Sequence, residues 1–442
     1  MREYDMKKIL IALCFIPSAV MAADDCSSIK NVPSGEMTLE SVINMGLCRN
    51  PQTSAAYLSS QVARLNKNAG YSKYLPSVSG SVSSTKSYQN NEWGQWSNGA
   101  SLSASYLIFD FGKRLSDLNA LSATWQATGF DYDETVQNYV YSVIGAYYAL
   151  LNANADVITA QSLKTVAQTA KDTADKKFKA GAVAKADVLK ADTTLATRNL
   201  EMEKAKNNRE IAKGNLLSKL SFPANQNIKI ADMPSDFGKA TENKNIDELI
   251  AWAEKSRPDL LSATANREAA WHRRNSVFLS NLPSISATGS MSYNPSPDVY
   301  SGNNRVSGNI GIRASMPLFA GFANLYGVRS ATASYERAKE QERATSDSAV
   351  LDIFTAYQNY KTAQTLLTQT ETLLKSATEN ERVTGGMYKV GRATMLDWQT
   401  AQADLANAQK ENNSAKYDLF TKRAAVALAV GDIQAELSGG KK

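Results

Sequence analysis

The sequence predicts an α+β membrane protein in which barrel-type β-hairpins alternate with very long coiled-coil helices, the arrangement occurring twice in one chain. Three observations lead there. The 442-residue chain is internally duplicated with a period of about two hundred residues. Each copy holds two segments that alternate apolar and small polar residues over roughly ten positions, the length and pattern of outer-membrane barrel staves. Each pair is followed by a proline-free helical stretch of about sixty residues. A compact globule cannot use such a helix, so coiled-coil packing is implied.

The duplication is visible residue by residue. Tyr74-Leu75-Pro76-Ser77-Val78-Ser79 reappears as Asn281-Leu282-Pro283-Ser284-Ile285-Ser286. Leu107-Ile108-Phe109-Asp110-Phe111-Gly112 reappears as Pro317-Leu318-Phe319-Ala320-Gly321-Phe322. Phe178-Lys179-Ala180-Gly181, with Asp187 after it, matches Tyr388-Lys389-Val390-Gly391 with Asp397 after it. Asn50-Pro51 opens the first copy as Arg257-Pro258 opens the second. The expected organisation is a leader at 1–22, repeat 1 at 23–222, a linker at 223–245, repeat 2 at 246–431 and a tail at 432–442. The linker is marked by the turn formers Pro223, Asn225, Pro234, Ser235 and Gly238.

Lys7 and Lys8 precede a short apolar run at 9–20, and Val20-Met21-Ala22 offers a signal-peptidase cut after Ala22. About a dozen apolar residues is too short a span for a bilayer helix, so this reads as a cleaved secretory signal. Cys14 lies inside it, leaving Cys26 and Cys48. In an oxidising compartment the pair reads as a Cys26–Cys48 disulfide, with two free thiols as the alternative. Asp24 and Asp25 stand where lipidation of Cys26 would require small residues.

A helix is expected over 39–73, then a hairpin at about 76–110. There Val78, Gly80 and Val82 alternate with serines, and Ala100, Leu102, Ala104, Tyr106 and Ile108 alternate with polar residues. Ile285, Ala287, Gly289, Met291 and Tyr293, then Val306, Gly308, Ile310, Ile312 and Ala314, repeat this in a hairpin at about 283–319. Polar, Asn-rich tips are expected around 90–98 and 294–304. Long helices are expected at about 113–180, with an interruption near Gly129, and at 186–222, 324–385 and 394–431. Sixty-odd residues at about 1.5 Å each make a rod near 100 Å. Alternating strands are most often half-buried strands of a soluble sandwich. Two hairpins alone are too few for that. Tyr88, Trp93, Trp96, Phe109 and Phe111 in one copy, and Tyr293, Tyr300, Phe319 and Phe322 in the other, also suit interfacial girdles.

Composition narrows the function. The net charge of +6 is dispersed along helical stretches with both signs mixed, a solvated-face pattern that indicates no nucleic-acid partner. His272 is the only histidine, so His-based catalysis and zinc sites find no support, and no Gly-rich phosphate loop is present. The chain is read as a non-enzyme with no cofactor, no catalytic residue and no metal site.

Four staves cannot close a barrel, and open edges in lipid leave backbone groups unsatisfied at several kcal/mol each. Symmetric association must complete it; two chains give eight staves, three twelve and four sixteen, and a wide helical tube favours three or more. The leader, the doubled order of elements, Asn50-Pro51, the Leu-Pro-Ser strand starts and Pro317-Leu318-Phe319 resemble TolC-family outer-membrane factors over about 38–431. The resemblance implies a homotrimer with a twelve-stranded barrel among outer-membrane lipids, four strands per chain, continued by a periplasmic α-helical barrel. It further implies docking on a periplasmic adaptor and an inner-membrane transporter, either ABC-type or proton-driven. Since many drug-efflux members carry a lipidated cysteine, the family pattern points to type I protein secretion. Multidrug efflux is the second reading, and a periplasmic coiled-coil adaptor or structural protein the reading from another class.

The resemblance also assigns a periplasmic gate. Gly181 and Gly391 become tip turns, although as residues they are simply helix stops. Asp397 matches a constriction aspartate, three of which would form a cation-favouring carboxylate ring. Asp187 and Tyr388 match residues that hydrogen-bond between tip helices. Both aspartates equally read as first-turn residues meeting a helix dipole. Two departures stand out: Thr400 replaces a second ring aspartate, and Arg392 lies one place before the gate arginine, with Ala393 in its position.

Overall fold

The computed structural model describes residues 35–231, 245–294 and 305–433, the last without the Arg305 side chain. The expected leader and Cys26 lie outside these residues, as do most of the linker, the 295–304 tip and most of the tail. Cys48 is disulfide-bonded.

In chain order the elements are β1 (Glu36–Met37), α1 (Leu39–Arg49), α2 (Pro51–Gly70), a 3-10 turn (Tyr71–Tyr74), β2 (Ser77–Gln89), β3 (Glu92–Phe109), α3 (Lys113–Lys179) and α4 (Lys185–Lys219). The second half follows with β4 (Lys229–Ile230), α5 (Ile246–Ser256), α6 (Pro258–Leu279), β5 (Ser284–Asn294), β6 (Arg305–Ser315), α7 (Ala323–Lys389) and α8 (Met395–Val430). Both α3 and α7 are 67 residues long. The compact units do not follow the repeats. One gathers residues up to Ala55, Asp133–Arg257 and Ser348 onward; the other gathers Ala56–Tyr132 and Pro258–Asp347, so each takes pieces of both copies.

The helix expected over 39–73 is two helices. Pro51 has no N–H to continue α1 and its fixed φ suits a first helical position. The Asn50 Oδ1 atom accepts from Gln52 N at 2.8 Å and Thr53 N at 3.0 Å, capping α2. α3 continues through Gly129 without a break, and α7 runs past Gly385 to Lys389.

In the strand-bearing unit one antiparallel sheet runs β2-β3-β5-β6, so the two copies join through β3 and β5. Its two faces differ chemically. On one, Ser77–Ser105, Ser79–Ser103, Ser81–Ser101 and Ser292–Ser307 pair hydroxyl to hydroxyl at 2.8 Å. The other carries aliphatic and aromatic residues, many of them exposed among the described residues. Ile310 is 95% exposed and Val82 87%. Exposure of that extent on contiguous apolar side chains marks a surface meant for a non-aqueous neighbour.

The tip expected over 90–98 is mostly strand. Asn90 and Asn91 alone make the turn, at φ 51° and 69°, and pairing resumes at once with Gln89 opposite Glu92. Positive φ at both central positions is the geometry of a two-residue hairpin turn whose twist matches the strands. Asn91→Val should therefore lower stability by about 1–2 kcal/mol, while Asn91→Gly should be neutral or stabilising. Thermal unfolding of the two purified variants checks this.

The strand-to-helix corner of the first copy is a dense polar joint. The Arg114 guanidinium donates to Leu107 O at 2.7 Å, Ile108 O at 3.1 Å and Asp110 Oδ2 at 3.2 Å, and lies 4.8 Å over the Tyr74 ring. Asp110 also accepts from Arg114 N at 2.9 Å. Nearby, Asp117 takes Lys73 at 2.9 Å and Lys113 at 3.0 Å, together with the Ser276 hydroxyl. Those hydrogen bonds outweigh the effect of burial and hold the Asp117 carboxyl below its ordinary value.

In the other unit the buried residues include Val143, Ile144, Leu216 and Leu217. Tyr147 donates to Ala231 O at 2.7 Å, beside the short parallel pair of β1 and β4. A separate cluster unites Leu249, Ala253, Ile353, Tyr360, Val426 and Val430.

Candidate functional site

The two helical hairpins, α3–α4 and α7–α8, end in the same local structure. Gly181 N–H donates to Phe178 O at 2.9 Å and Ala182 N–H to Lys177 O at 2.8 Å; Gly391 and Arg392 repeat this on Tyr388 O and Met387 O at 3.1 and 2.8 Å. Both glycines have positive φ, 70° and 81°, which this left-handed cap requires.

The hairpins then diverge. α8 starts with a capping box: Thr394 Oγ1 accepts from Asp397 N at 3.2 Å, and Asp397 Oδ2 accepts from Thr394 N at 2.8 Å and from Thr394 Oγ1 at 2.6 Å. α4 starts at Ala184, which has no side-chain cap. Asp187 occupies the first turn there and is half-buried. The Thr394 hydroxyl, then the Thr394 amide, hold the Asp397 carboxyl below its ordinary 3.8. Its contribution is thus present above that value and is lost as pH falls through the lowered one. Thr394→Ala, which recreates the α4 start, should cost about 1 kcal/mol at neutral pH. The difference from wild type should shrink in acid, as thermal unfolding across pH will show.

Between the hairpins lies a small core of Ala170, Ala174, Ala191, Tyr388, Met395 and Trp398. Tyr388 and Trp398 rings meet at 5.2 Å. Trp398 lies directly on Gly385, where an added Cβ would come 2.8 Å from its Nε1. That explains the glycine inside α7: it is a seat for the indole, not a helix stop. Trp398 Nε1 donates to Glu381 Oε1 at 2.9 Å. Lys177 crosses from α3, donating to the Tyr388 carbonyl with its ammonium 4.3 Å from the ring centroid. Gln399 Nε2 donates to Thr194 Oγ1 at 2.8 Å, a second cross-link between the hairpins.

The residues expected at the gate therefore lie at the tips of the two hairpins. The Tyr388 hydroxyl is buried and finds no hydrogen-bond partner among the described residues. Burial first, and the Asp187 charge second, push its pKa up. The Asp187 charge thus acts on Tyr388 through space. The Arg392 side chain is exposed, and Thr400 bonds back to Leu396 O at 3.0 Å on its own helix. Sequence reasoning missed Lys177, Trp398 and Gly385. The adjacent glycines Gly385-Gly386 inside an otherwise good helix were the available signal. Among the described residues no group of His, Cys, Asp or Glu could hold a metal.

A sheet with an exposed apolar face in one unit, and two helical hairpins with matching tip turns in the other, are features of an outer-membrane channel protein. The chain belongs to the outer membrane efflux protein family, the TolC family, whose profile matches residues 42–220 and 249–432. It is similar to the protein CyaE of Bordetella pertussis, with 23% identity over 409 residues covering 90% of this chain and 85% of the relative. It is also similar to the toxin and drug export protein A of Aggregatibacter actinomycetemcomitans, with 23% identity over 395 residues covering 88% and 85%. The fold matches the Campylobacter jejuni CmeC outer membrane channel with a TM-score of 0.75 at 21% identity, over 91% of this chain and 86% of that one. The family is one of outer-membrane channels, not enzymes.

Proposed function

We propose that this chain is the outer-membrane exit duct of a tripartite export machine, three copies closing a twelve-stranded barrel and a periplasmic helical tube. The observation that carries this is the four-stranded sheet with β2 and β6 at its open edges and an uncovered apolar face. Lipid satisfies the face; only further copies satisfy the edges. The hairpin tips are then the periplasmic entrance, where a periplasmic adaptor and an inner-membrane transporter dock.

Asp397 suits a constriction ring because its two oxygens divide the work. Oδ2 makes the cap, while no contact engages Oδ1 among the described residues. In planar bilayers Asp397→Ala should weaken block by divalent cations, and unchanged block removes Asp397 from the entrance. Asp187, Tyr388 and Arg392 complete the proposed gate, Gly181 and Gly391 shape its turns, and Cys26 pairs with Cys48.

For cargo we favour type I protein secretion. Asp24 and Asp25, which stand where lipidation of Cys26 would require small residues, support it, and the relative named for toxin and drug export serves both readings. Multidrug efflux is the second reading, favoured by the family's description. Crosslinking in cells from Lys389 or Arg392, with captured partners identified by mass spectrometry, separates them. An adaptor with an ATP-driven transporter means secretion; a proton-driven pump means efflux. A heat-modifiable trimer in the outer-membrane fraction is expected, and a soluble periplasmic product would point to an adaptor instead.

A further inference from the structure

The hydroxyl face of the sheet is uncharged along most of its length. β2 contributes Ser77, Ser79 and Ser81, β3 Ser101, Ser103 and Ser105, and β5 Ser284, Ser286, Thr288, Ser290 and Ser292. Ser290 donates to Asn309, and Ser292 pairs with Ser307 at 2.8 Å, which places the odd-numbered residues of β6 on this face. Arg313 is one of them, directly opposite Ser286. It lies at the helix end of the strand, far from the hairpin turn. Among the described side chains, Arg313 and Glu92, which sits beside the Asn90–Asn91 turn opposite Gln89, are the only charges on the face. Lys86 points the other way, paired with Trp96.

The Arg313 side chain is exposed and makes no hydrogen bond or ion pair among the described residues. Its neighbour across the sheet is a serine, and Gly311, one pleat away, leaves open space. A strand that needed a cation for stability would be expected to pair it. This one presents it, unpaired among the described residues, on a wall whose other described charge, Glu92, lies at the far end by the turn.

We infer that Arg313 is a charge-selecting residue of the duct: three copies form a positive collar at the inner end of the barrel that draws anionic solutes into it. The inference rests on the channel reading above, because only barrel closure turns the hydroxyl face into a lumen. A fixed charge on a wide, water-filled wall acts over about 10 Å at 0.1 M salt and about 3 Å at 1 M. The collar should therefore bias permeation at low salt and fade at high salt, unlike a narrow ring in which ions touch the carboxylates.

The test is reversal potential in planar bilayers under a KCl gradient, using purified full-length protein. Arg313→Gln should lower the chloride-to-potassium permeability ratio about twofold near 0.1 M and leave it nearly unchanged near 1 M. Arg313→Glu should lower it further, and Arg313→Lys should retain it. Inorganic tripolyphosphate added from the barrel side should block wild type and Arg313→Lys more strongly than Arg313→Gln. If wild type forms no conducting unit, the channel reading fails. If all variants conduct like wild type, with the same permeability ratio and the same block, the channel stands and Arg313 is not its selector. A heat-stable oligomer on gels confirms that each variant assembles.

Discussion

Replacing Trp398 by alanine is expected to release the α7–α8 tip from the α3–α4 hairpin, with a local loss of about 4 kcal/mol. Truncating a buried tryptophan alone costs roughly 3–5 kcal/mol, and Trp398 is 3% exposed. The change also removes the ring against Tyr388 and the donor to Glu381. Amide hydrogen exchange should report it directly, as lost protection in the last turns of α7 and the first turns of α8. In the assembled channel the same variant should pass more current in bilayers. Two companion variants separate the contributions. Trp398→Phe keeps the ring but not the N–H, and should cost about 1.5 kcal/mol. Gly385→Ala pushes a methyl into the indole and should cost about 1–3 kcal/mol through overpacking. Unchanged exchange in Trp398→Ala would show that the cluster does not hold the hairpins together.

The second large effect is expected at the opposite kind of site, the polar corner of the first hairpin. Arg114 and Asp110 side chains are only 11% and 9% exposed. Removing one member of a nearly buried pair strands the other charge, at about 3–5 kcal/mol. Arg114→Met should therefore reduce the yield of heat-stable protein and lower its melting temperature. Arg114→Met combined with Asp110→Asn should recover most of the loss, because no carboxylate is then left unpaired. The second copy offers an internal control. Its equivalents are Ala320 and Asn324, and Asn324→Ala should change melting little. Full stability in Arg114→Met would mean that the backbone carbonyls of Leu107 and Ile108 are satisfied by water instead.

These two sites also show which features could be read in advance. The strands were legible because alternation with serine survives in every copy, and a period of two is hard to mimic. The long helices were legible from length and the missing prolines. The tip expected over 90–98 is too long because Gly94 and Asn98 read locally as loop, whereas cross-strand pairing overrides local preference. Pro51 reads as a repeat marker through its match to Pro258, while its role as a helix boundary follows from its missing N–H. The helix expected over 324–385 ends too early because the residue that explains Gly385, Trp398, lies on the next helix. Lys177 meets Tyr388 across 211 positions of sequence, a contact no local pattern encodes. The aspartates stood out because the duplication aligns them; their bonding did not, since a capping box at Thr394 and its absence at Ala184 depend on two residues outside the motif.

The serine-for-aliphatic alternation of the strands bears on biosynthesis as well. An exported stave must first travel unfolded through the inner membrane and an aqueous space. A strand apolar at mostly every second position presents no long greasy run, and no described helix is long and apolar enough to cross a membrane. The staves therefore lack the long apolar run that marks a bilayer-spanning helix. Apolar character emerges on pleating, when Val78, Val82, Leu102, Ile310 and Ile312 swing to one side. Sorting between two bilayers is thus written into the spacing of the residues and switched on by folding at the destination.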